Sequence, residues 1–308
     1  MLNKRIIFMG TPKIAASYLQ SLIDLQYNLV AVFSQPPRKK GRGLLTHQSD
    51  VHKLALSSDI KIFTPINLNS EQIKTDFNNL KPDLIVVMGY GLKIPNHILA
   101  IPKHGCINIH ISLLPRWRGA SPIEHALLSG DKETGITIFK LVEEMDAGPI
   151  LMKVSTPLDL LINKEELTYK LNLLGIKILK TILPKVLNNN ISYENQDVNK
   201  ITYANKITTD MRKIDFYNSM EIIHNQIRAF SPKPSAWFFY NKERIKIIKS
   251  KFDKGNFESS CIVNEKFHIG CKDGKICPEI IQREGKQTMT LDNFLRGFDF
   301  KVGNKVNV

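Results

Sequence analysis

Asn108 and His110, two residues apart, are the side chains of this 308-residue chain whose types and spacing point most directly to chemistry. Both lie in the run Gly105-Cys106-Ile107-Asn108-Ile109-His110-Ile111. Successive side chains of a strand point to opposite faces, so residues two apart share a face. Asn108 and His110 therefore project together, at the carboxyl end of a predicted parallel strand, where open α/β sheets place their ligands. A neutral amide donor beside an imidazole suits the stabilisation of an oxyanion as a carbonyl carbon is attacked. The same two residues also suit an ordinary structural His–Asn pair, and their spacing alone does not decide.

The elements that must hold such a pair read as an α/β domain. Arg5-Ile6-Ile7-Phe8-Met9 is a continuous apolar run, the mark of a strand covered on both faces. Thr11 is a good N-cap and Pro12 suits a first helical turn. Ala15, Ala16, Leu19, Leu22 and Ile23 then recur at helical spacing, and Leu29–Phe33 is a second strand. This βαβ opening predicts a parallel sheet with helices on its faces. The alternation continues with strands over 60–63, 83–88, 106–109, 136–139 and 150–154. Helices are expected over 70–80, from a capping box at Ser121-Pro122-Ile123-Glu124 through Leu128, and over 165–187. The last should close a first domain, 1–187.

Residues 188–206 read as a linker, since 188–195 is polar and holds three consecutive asparagines. Beyond it, short strands at 236–240, 244–249 and 266–270 alternate with Gly, Asn and Asp turns, the pattern of a small barrel over 207–308. The expectation is therefore an α/β chain: an N-terminal Rossmann-like, mostly parallel sheet with helices on both faces, plus a smaller C-terminal OB-like β-barrel domain.

Lys and Arg number 43 against 29 acidic residues, a formal net charge of +14. The excess favours polyanionic partners such as nucleic acid or an anionic membrane, although a merely solvated basic surface has the same count. Residues 201–308 hold 19 Lys and Arg against 12 Asp and Glu, nearly twice as basic per residue as the rest. No block of like charge is long enough for a disordered arm, so a folded basic surface is expected. Cys106, Cys261, Cys271 and Cys277 form no C-x-x-C pair and have no zinc-spaced His pair beside them. Cys271 and Cys277 could bridge a hairpin, but reduced, buried thiols are the expectation. The first ten residues are too short an apolar stretch for a signal peptide, and the longest apolar run, near 84–88, is a strand rather than a membrane span. The expected setting is the cytoplasm.

Met9-Gly10-Thr11-Pro12 offers one glycine after the first strand rather than G-x-G-x-x-G, and no G-x-x-x-x-G-K-S/T occurs. Other motifs follow one another in order: Arg5-Ile-Ile-Phe-Met-Gly-Thr-Pro12, Gln35-Pro36 with Gly41-Arg42-Gly43, Gly89-Tyr90-Gly91, Cys106-Ile-Asn-Ile-His110 and Ser112-Leu-Leu-Pro-Arg-Trp-Arg-Gly119. Then come Thr134-Gly-Ile-Thr137, Met145-Asp-Ala-Gly148, Tyr203-Ala-Asn-Lys-Ile207, Ile214-Asp-Phe216 and Ile227-Arg-Ala-Phe-Ser-Pro-Lys-Pro234. In this set, which spans nearly the whole chain, the sequence resembles the folate-dependent formyltransferase superfamily, most closely those members that act on an aminoacylated tRNA.

The resemblance implies Asn108, His110 and Asp146 as the catalytic set, 10-formyltetrahydrofolate as formyl donor and methionyl initiator tRNA as acceptor. The methionyl α-amine, with a reference pKa near ~8, is partly neutral at physiological pH. It would attack the formyl carbon directly, through a tetrahedral intermediate. Asn108 and a protonated His110 would donate to the oxyanion, while Asp146 would hold His110 charged and help remove the amine proton. On the residues alone, Asp146 before Ala147-Gly148 equally suits a turn, and Glu143 and Glu144 compete as carboxylates. Ser112, Leu113, Leu114 and Pro115, with Gly89 and Tyr90, would form part of the folate pocket. Arg42, Lys39 and Lys40 of the basic, glycine-punctuated loop 36–43 would meet the tRNA acceptor end, the Arg42 fork suiting phosphate or base edges. Lys206, Lys213 and Arg228 are further tRNA candidates in a C-terminal tRNA-binding domain. No metal is implied, and a monomer is expected. Two positions depart from the pattern: Ile111 stands where relatives usually carry a small residue, often Gly, and Phe216 where Trp is usual. The alternatives are a sugar-nucleotide formyltransferase and a non-catalytic RNA-binding relative.

Overall fold

The computed structural model describes residues 3–40 and 45–307. They form two compact units interleaved along the chain. The first draws on Met1–Gly119, Gly135–Ser155 and Lys170–Tyr203, the second on Ala120–Thr134, Thr156–Tyr169 and Ala204–Val308.

The first unit is built on a seven-stranded sheet in the order Ile150–Pro157, Glu133–Lys140, Cys106–His110, Leu84–Met88, Ile6–Gly10, Leu29–Phe33, Ile62–Phe63. From Cys106–His110 to Ile62–Phe63 every pairing is parallel. Glu133–Lys140 runs antiparallel to Cys106–His110. The apolar runs are buried as their composition demands: Ile6, Ile7, Phe8, Leu84, Ile85 and Val86 have no exposed surface. Each such side chain contributes roughly 1.5–3 kcal/mol by leaving water. A Cβ on Gly10 would meet the Phe8 ring, Ala15 Cβ and the Met88 carbonyl oxygen at 2.8–3.0 Å, so glycine permits the close approach at the end of the first strand.

Two caps differ from the sequence reading. The first helix, Lys13–Asp24, is entered through Pro12, and Thr11 does not cap it. Thr11 Oγ1 instead donates to the Tyr90 carbonyl at 2.9 Å and accepts from Gln35 N at 3.2 Å, tying three strand ends together. Ser121 precedes the helix Pro122–Leu128 but makes no side-chain capping bond. Ser70, by contrast, caps Glu71–Leu80 by accepting from Ile73 N. Residues 188–206, expected to link domains, lie along the first unit as far as Tyr203. Glu194 and Ile150 exchange backbone hydrogen bonds at 2.7 and 2.9 Å, and Arg118 N donates to Thr202 O at 2.9 Å.

The second unit carries an antiparallel sheet, Ala236–Tyr240, Glu243–Lys254, Gly274–Arg283, Ile269–Cys271, with Met289–Thr290 added to Gly274–Arg283. The sheet curls around a core that includes Phe216, Phe230, Phe238, Phe267 and Phe294. Phe216, where Trp is usual, packs edge-on to Phe238 at 5.4 Å. The strand expected from residue 266 begins only at Ile269. Asn264 Oδ1 accepts from both Lys266 N and His268 N, closing a turn in which Phe267 has φ of 54°. A helix the sequence reading did not single out, Met220–Phe230, packs Ile223, Ile227 and Phe230 into the same core under a Ser219 cap.

No helix among the described residues is long and apolar enough to cross a membrane. All four cysteines are free and buried. Burial pushes the Cys106 thiol up to about 12 and the Cys277 thiol up to about 11. A disulfide-exchange reagent at pH 8 should therefore modify none of the four thiols in the native protein and all four after denaturation. Rapid uptake by the folded chain would contradict this burial.

Candidate active site

The parallel strands Ile6–Gly10, Leu84–Met88 and Cys106–His110 deliver their carboxyl ends side by side, and the candidate site grows from there. Asn108 is paired with Val87 on one side and Phe139 on the other, and His110 with Thr137. Ile107 and Ile109, on the opposite face, are 1% and 2% exposed. Strand alternation thus holds the two polar side chains on one face with no freedom to part.

His110 is 6% exposed, and each ring nitrogen faces an acceptor. Nε2 lies 2.8 Å from the Trp117 carbonyl oxygen, and Nδ1 lies 3.7 Å from Asp146 Oδ2. Nε2 is within hydrogen-bond range of its acceptor, whereas Nδ1 stands too far from the carboxylate for a hydrogen bond and keeps its side of the ring open. Phe139 packs edge-on against it at 6.4 Å. Among the described residues the half-buried Asn108 amide makes no hydrogen bond, so its N–H groups are free to donate to a ligand.

Asp146 reaches His110 from a loop, with φ of 51°, a backbone region that Asp enters more readily than most residues. Its Oδ2 accepts from Gly119 N at 2.8 Å. The loop is gripped from behind by Gln196, whose Nε2 donates to the Asp146 and Gly148 carbonyls, both at 2.8 Å. Gln196 Oε1 in turn accepts from Arg118 Nε and Nη2 at 3.1 and 2.9 Å, and Arg118 is only 3% exposed. Neither Arg118 nor Gln196 was singled out from sequence. Arg118 stood within a quoted motif, whereas Gln196 carried no signal at all.

The competing carboxylates point elsewhere. Glu144 Oε1 accepts from Arg118 Nη1 at 3.1 Å, and Glu143 is engaged by Asn96 at 2.6 Å and Lys93 at 3.5 Å, which hold its carboxyl below the usual range. Ile111 is not among the residues of positive φ. The non-glycine left-handed positions of this region are Trp117 and Asp146, so a β-branched side chain at 111 meets no such strain.

The residues expected to hold folate fall into two groups. Ser112, Leu114 and Pro115 are buried and brace their loop. Ser112 Oγ donates to Arg116 O at 2.6 Å, Thr137 Oγ1 accepts from Leu114 N at 3.1 Å, and Lys153 donates to Leu114 O at 3.2 Å. Leu113 is half-buried, and Gly89 and Gly91 are exposed with φ of 57° and 91°. Tyr90 is 2% exposed, and its Oη is a buried atom without a partner, as is Gln35 Nε2. Open glycine backbone beside buried polar atoms that lack partners fits a ligand rich in hydrogen-bonding groups, as a pterin is. No cluster of three or more His, Cys, Asp or Glu able to hold a metal occurs among the described residues.

Of the residues expected to meet tRNA, Arg42 lies outside the described residues. Lys39 and Lys40 belong to the strand Arg38–Lys40, which pairs antiparallel with Leu45–His47. Lys206 and Lys213 are exposed. Arg228 is not a surface residue: it is 3% exposed, donating to Asp159 O and Asn225 Oδ1, both at 2.8 Å, because the helix turns that face inward.

Comparison with known proteins identifies the family. Residues 4–183 match the formyl transferase family and residues 206–299 its C-terminal domain. The chain is 37% identical over 304 residues to a methionyl-tRNA formyltransferase of Rickettsia bellii (strain RML369-C), covering 98% of this chain and 99% of the relative. It is 39% identical over 301 residues to that of Wolbachia sp. subsp. Drosophila simulans (strain wRi), covering 98% and 99%. In fold it is similar to WlaRD, a sugar 3N-formyl transferase solved in the presence of dTDP and 5-N-formyl-THF, with TM-score 0.67, 24% identity and coverage of 93% and 100%. With both domains matched and relatives aligned over almost their full length, the chain belongs to the methionyl-tRNA formyltransferase family.

Proposed function

We propose that the protein transfers the formyl group of 10-formyltetrahydrofolate to the α-amine of methionyl initiator tRNA, using Asn108, His110 and Asp146. The observation that carries this reading is the His110–Asp146 pair beside an unpartnered Asn108 amide, in a chain aligned almost end to end with relatives named for that activity. When bound, the folate supplies the activated formyl group. Leu113, Gly89 and Gly91 border its side of the site, with the buried, unpartnered Gln35 and Tyr90 atoms behind them, and Ser112, Leu114 and Pro115 hold that wall in place. Asn108 donates an N–H to the formyl oxygen as negative charge gathers there. His110, anchored through Nε2 on Trp117 O, turns its Nδ1 N–H to the same oxygen as a second donor, since Nδ1 stands 3.7 Å from Asp146 Oδ2 and is not hydrogen-bonded to it. Asp146 receives the proton that the α-amine sheds, directly or through water. Transfer is direct. The described site offers no serine or cysteine nucleophile: the Ser112 hydroxyl donates to Arg116 O, and the Cys106 thiol is buried and pushed up to about 12.

Lys39, Lys40 and Arg42 engage the acceptor end of the tRNA, and Lys206 contributes from the C-terminal domain over 207–308, with 1–187 as the catalytic domain. The protein acts in the cytoplasm as a monomer. A transfer assay with labelled formyl-folate, comparing charged initiator tRNA, charged elongator tRNA and free methionine, tests the reading directly. Label should appear on the initiator tRNA, and a preference for an amino-sugar nucleotide instead would establish the alternative acceptor. In the same assay Arg42→Ala should raise the KM for tRNA while leaving folate binding unchanged. An unaltered tRNA KM would remove Arg42 from the interface.

A further inference from the structure

One side of the second unit's sheet is spent on the core; the other carries an arrangement that the transfer chemistry does not use. On the paired strands Ala236–Tyr240 and Glu243–Lys254, Ala236, Phe238, Tyr240, Ile245 and Ile247 are core residues. Alternation therefore sends Trp237, Phe239, Arg244 and Lys246 to the outer face. The register sets Phe239 opposite Arg244 and Trp237 opposite Lys246. The Arg244 guanidinium lies over the Trp237 ring, 4.5 Å from its centroid, and 5.7 Å from that of Phe239.

Neither cation is neutralised. Among the described residues no carboxylate pairs with Arg244, and Lys246 Nζ donates only to the neutral Gln282 amide at 3.2 Å. Several other cations of the same sheet are paired: Arg283 is forked onto Glu243, and Lys249 and Lys251 share Glu279. Two donors of this face are moreover buried without an acceptor, Arg244 Nε and Trp237 Nε1, the latter on a residue 7% exposed. Two unsatisfied N–H groups and a second cation, with no acid among them, call for an anionic oxygen from outside. A guanidinium lying over an indole is pre-positioned by the contact, and its planar fork of N–H groups suits phosphate. Base stacking is disfavoured here, because the indole face is already covered by Arg244.

We propose, resting on the tRNA reading above, that Arg244, Lys246 and Trp237 form a contact site for phosphates of the tRNA backbone. The whole protein, titrated with fluorescently labelled methionyl-tRNA over a range of salt concentrations, gives the test. Arg244→Gln and Lys246→Gln should each weaken binding and lower the slope of log K against log salt by about 1. Lys266→Gln, which removes the same charge from an exposed turn, should change neither. Trp237→Phe, which keeps the ring platform and deletes the N–H, should weaken binding with little change of slope. Wild-type affinity and slope in both Arg244→Gln and Lys246→Gln would overturn the site while leaving the functional reading standing. Absence of salt-dependent tRNA binding by the wild type would overturn both. Displacement of the tRNA by polyglutamate as readily as by unlabelled tRNA would reassign the face to an acidic protein partner.

Discussion

His110→Ala is expected to lower kcat for formyl transfer by about 10²–10³-fold, the usual loss when one preorganised donor is removed from a developing oxyanion. The binding steps should survive. Asp146 remains held by Gly119 N and Gln196, and Asn108 remains fixed by strand pairing, so the wall of the site persists without the imidazole. The KM for tRNA should accordingly move far less than kcat. Truncation also removes the 2.8 Å hydrogen bond to the Trp117 carbonyl, which should reduce stability by about 0.5–1.5 kcal/mol. Melting measured alongside turnover separates that loss from the chemical one. Asp146→Asn is the sharper companion: it keeps an oxygen for Gly119 N but removes the charge facing Nδ1. Undiminished turnover by a folded His110→Ala protein would take the imidazole out of the reaction.

What was legible in the sequence follows from what is local. Continuous apolar runs and strand alternation are set by neighbouring residues, so the strand at 29–33, all but the last residue of the strand at 106–110, and the shared face of Asn108 and His110 could be read directly. Side chains with a choice of partner were read less well. Thr11 has the chemistry of an N-cap, but a carbonyl 79 residues away competes for its hydroxyl and wins. Arg228 carries a charge that suggests a surface, yet the amphipathic helix Met220–Phe230 points it inward onto Asp159 O. Asp146 came only with the family resemblance, because its pairing with His110 joins a loop to a strand 36 positions earlier. The grip on that loop had no signature. Gln196 sits in a polar stretch whose composition resembles a linker, and only the fold brings it to Arg118 and Asp146.

That hidden grip predicts the second large effect. Gln196→Leu preserves most of the side-chain volume but removes both donors to the Asp146 and Gly148 carbonyls and the acceptor of two Arg118 hydrogen bonds. Arg118, 3% exposed, is then left with Glu144, whose side chain is 72% exposed, so the surviving pair is weakened by solvent. Each polar group stranded in this way costs about 1–3 kcal/mol, more when it is charged, so the melting temperature should fall clearly. Turnover should fall as well, by about 10²-fold, because a shift of about 1 Å in a group that handles the proton has that effect. The Asp146 loop has no other side-chain support of this kind among the hydrogen bonds of the described residues. Gln196→Glu divides the two consequences. A carboxylate there still accepts from Arg118, but it has no N–H for the two carbonyls and sets a negative oxygen against them. If the grip acts by positioning Asp146, both variants should show depressed kcat with the tRNA KM little changed, although Arg118 keeps its partner only in Gln196→Glu. Full turnover in Gln196→Glu would mean that the residue matters only as the partner of a buried arginine.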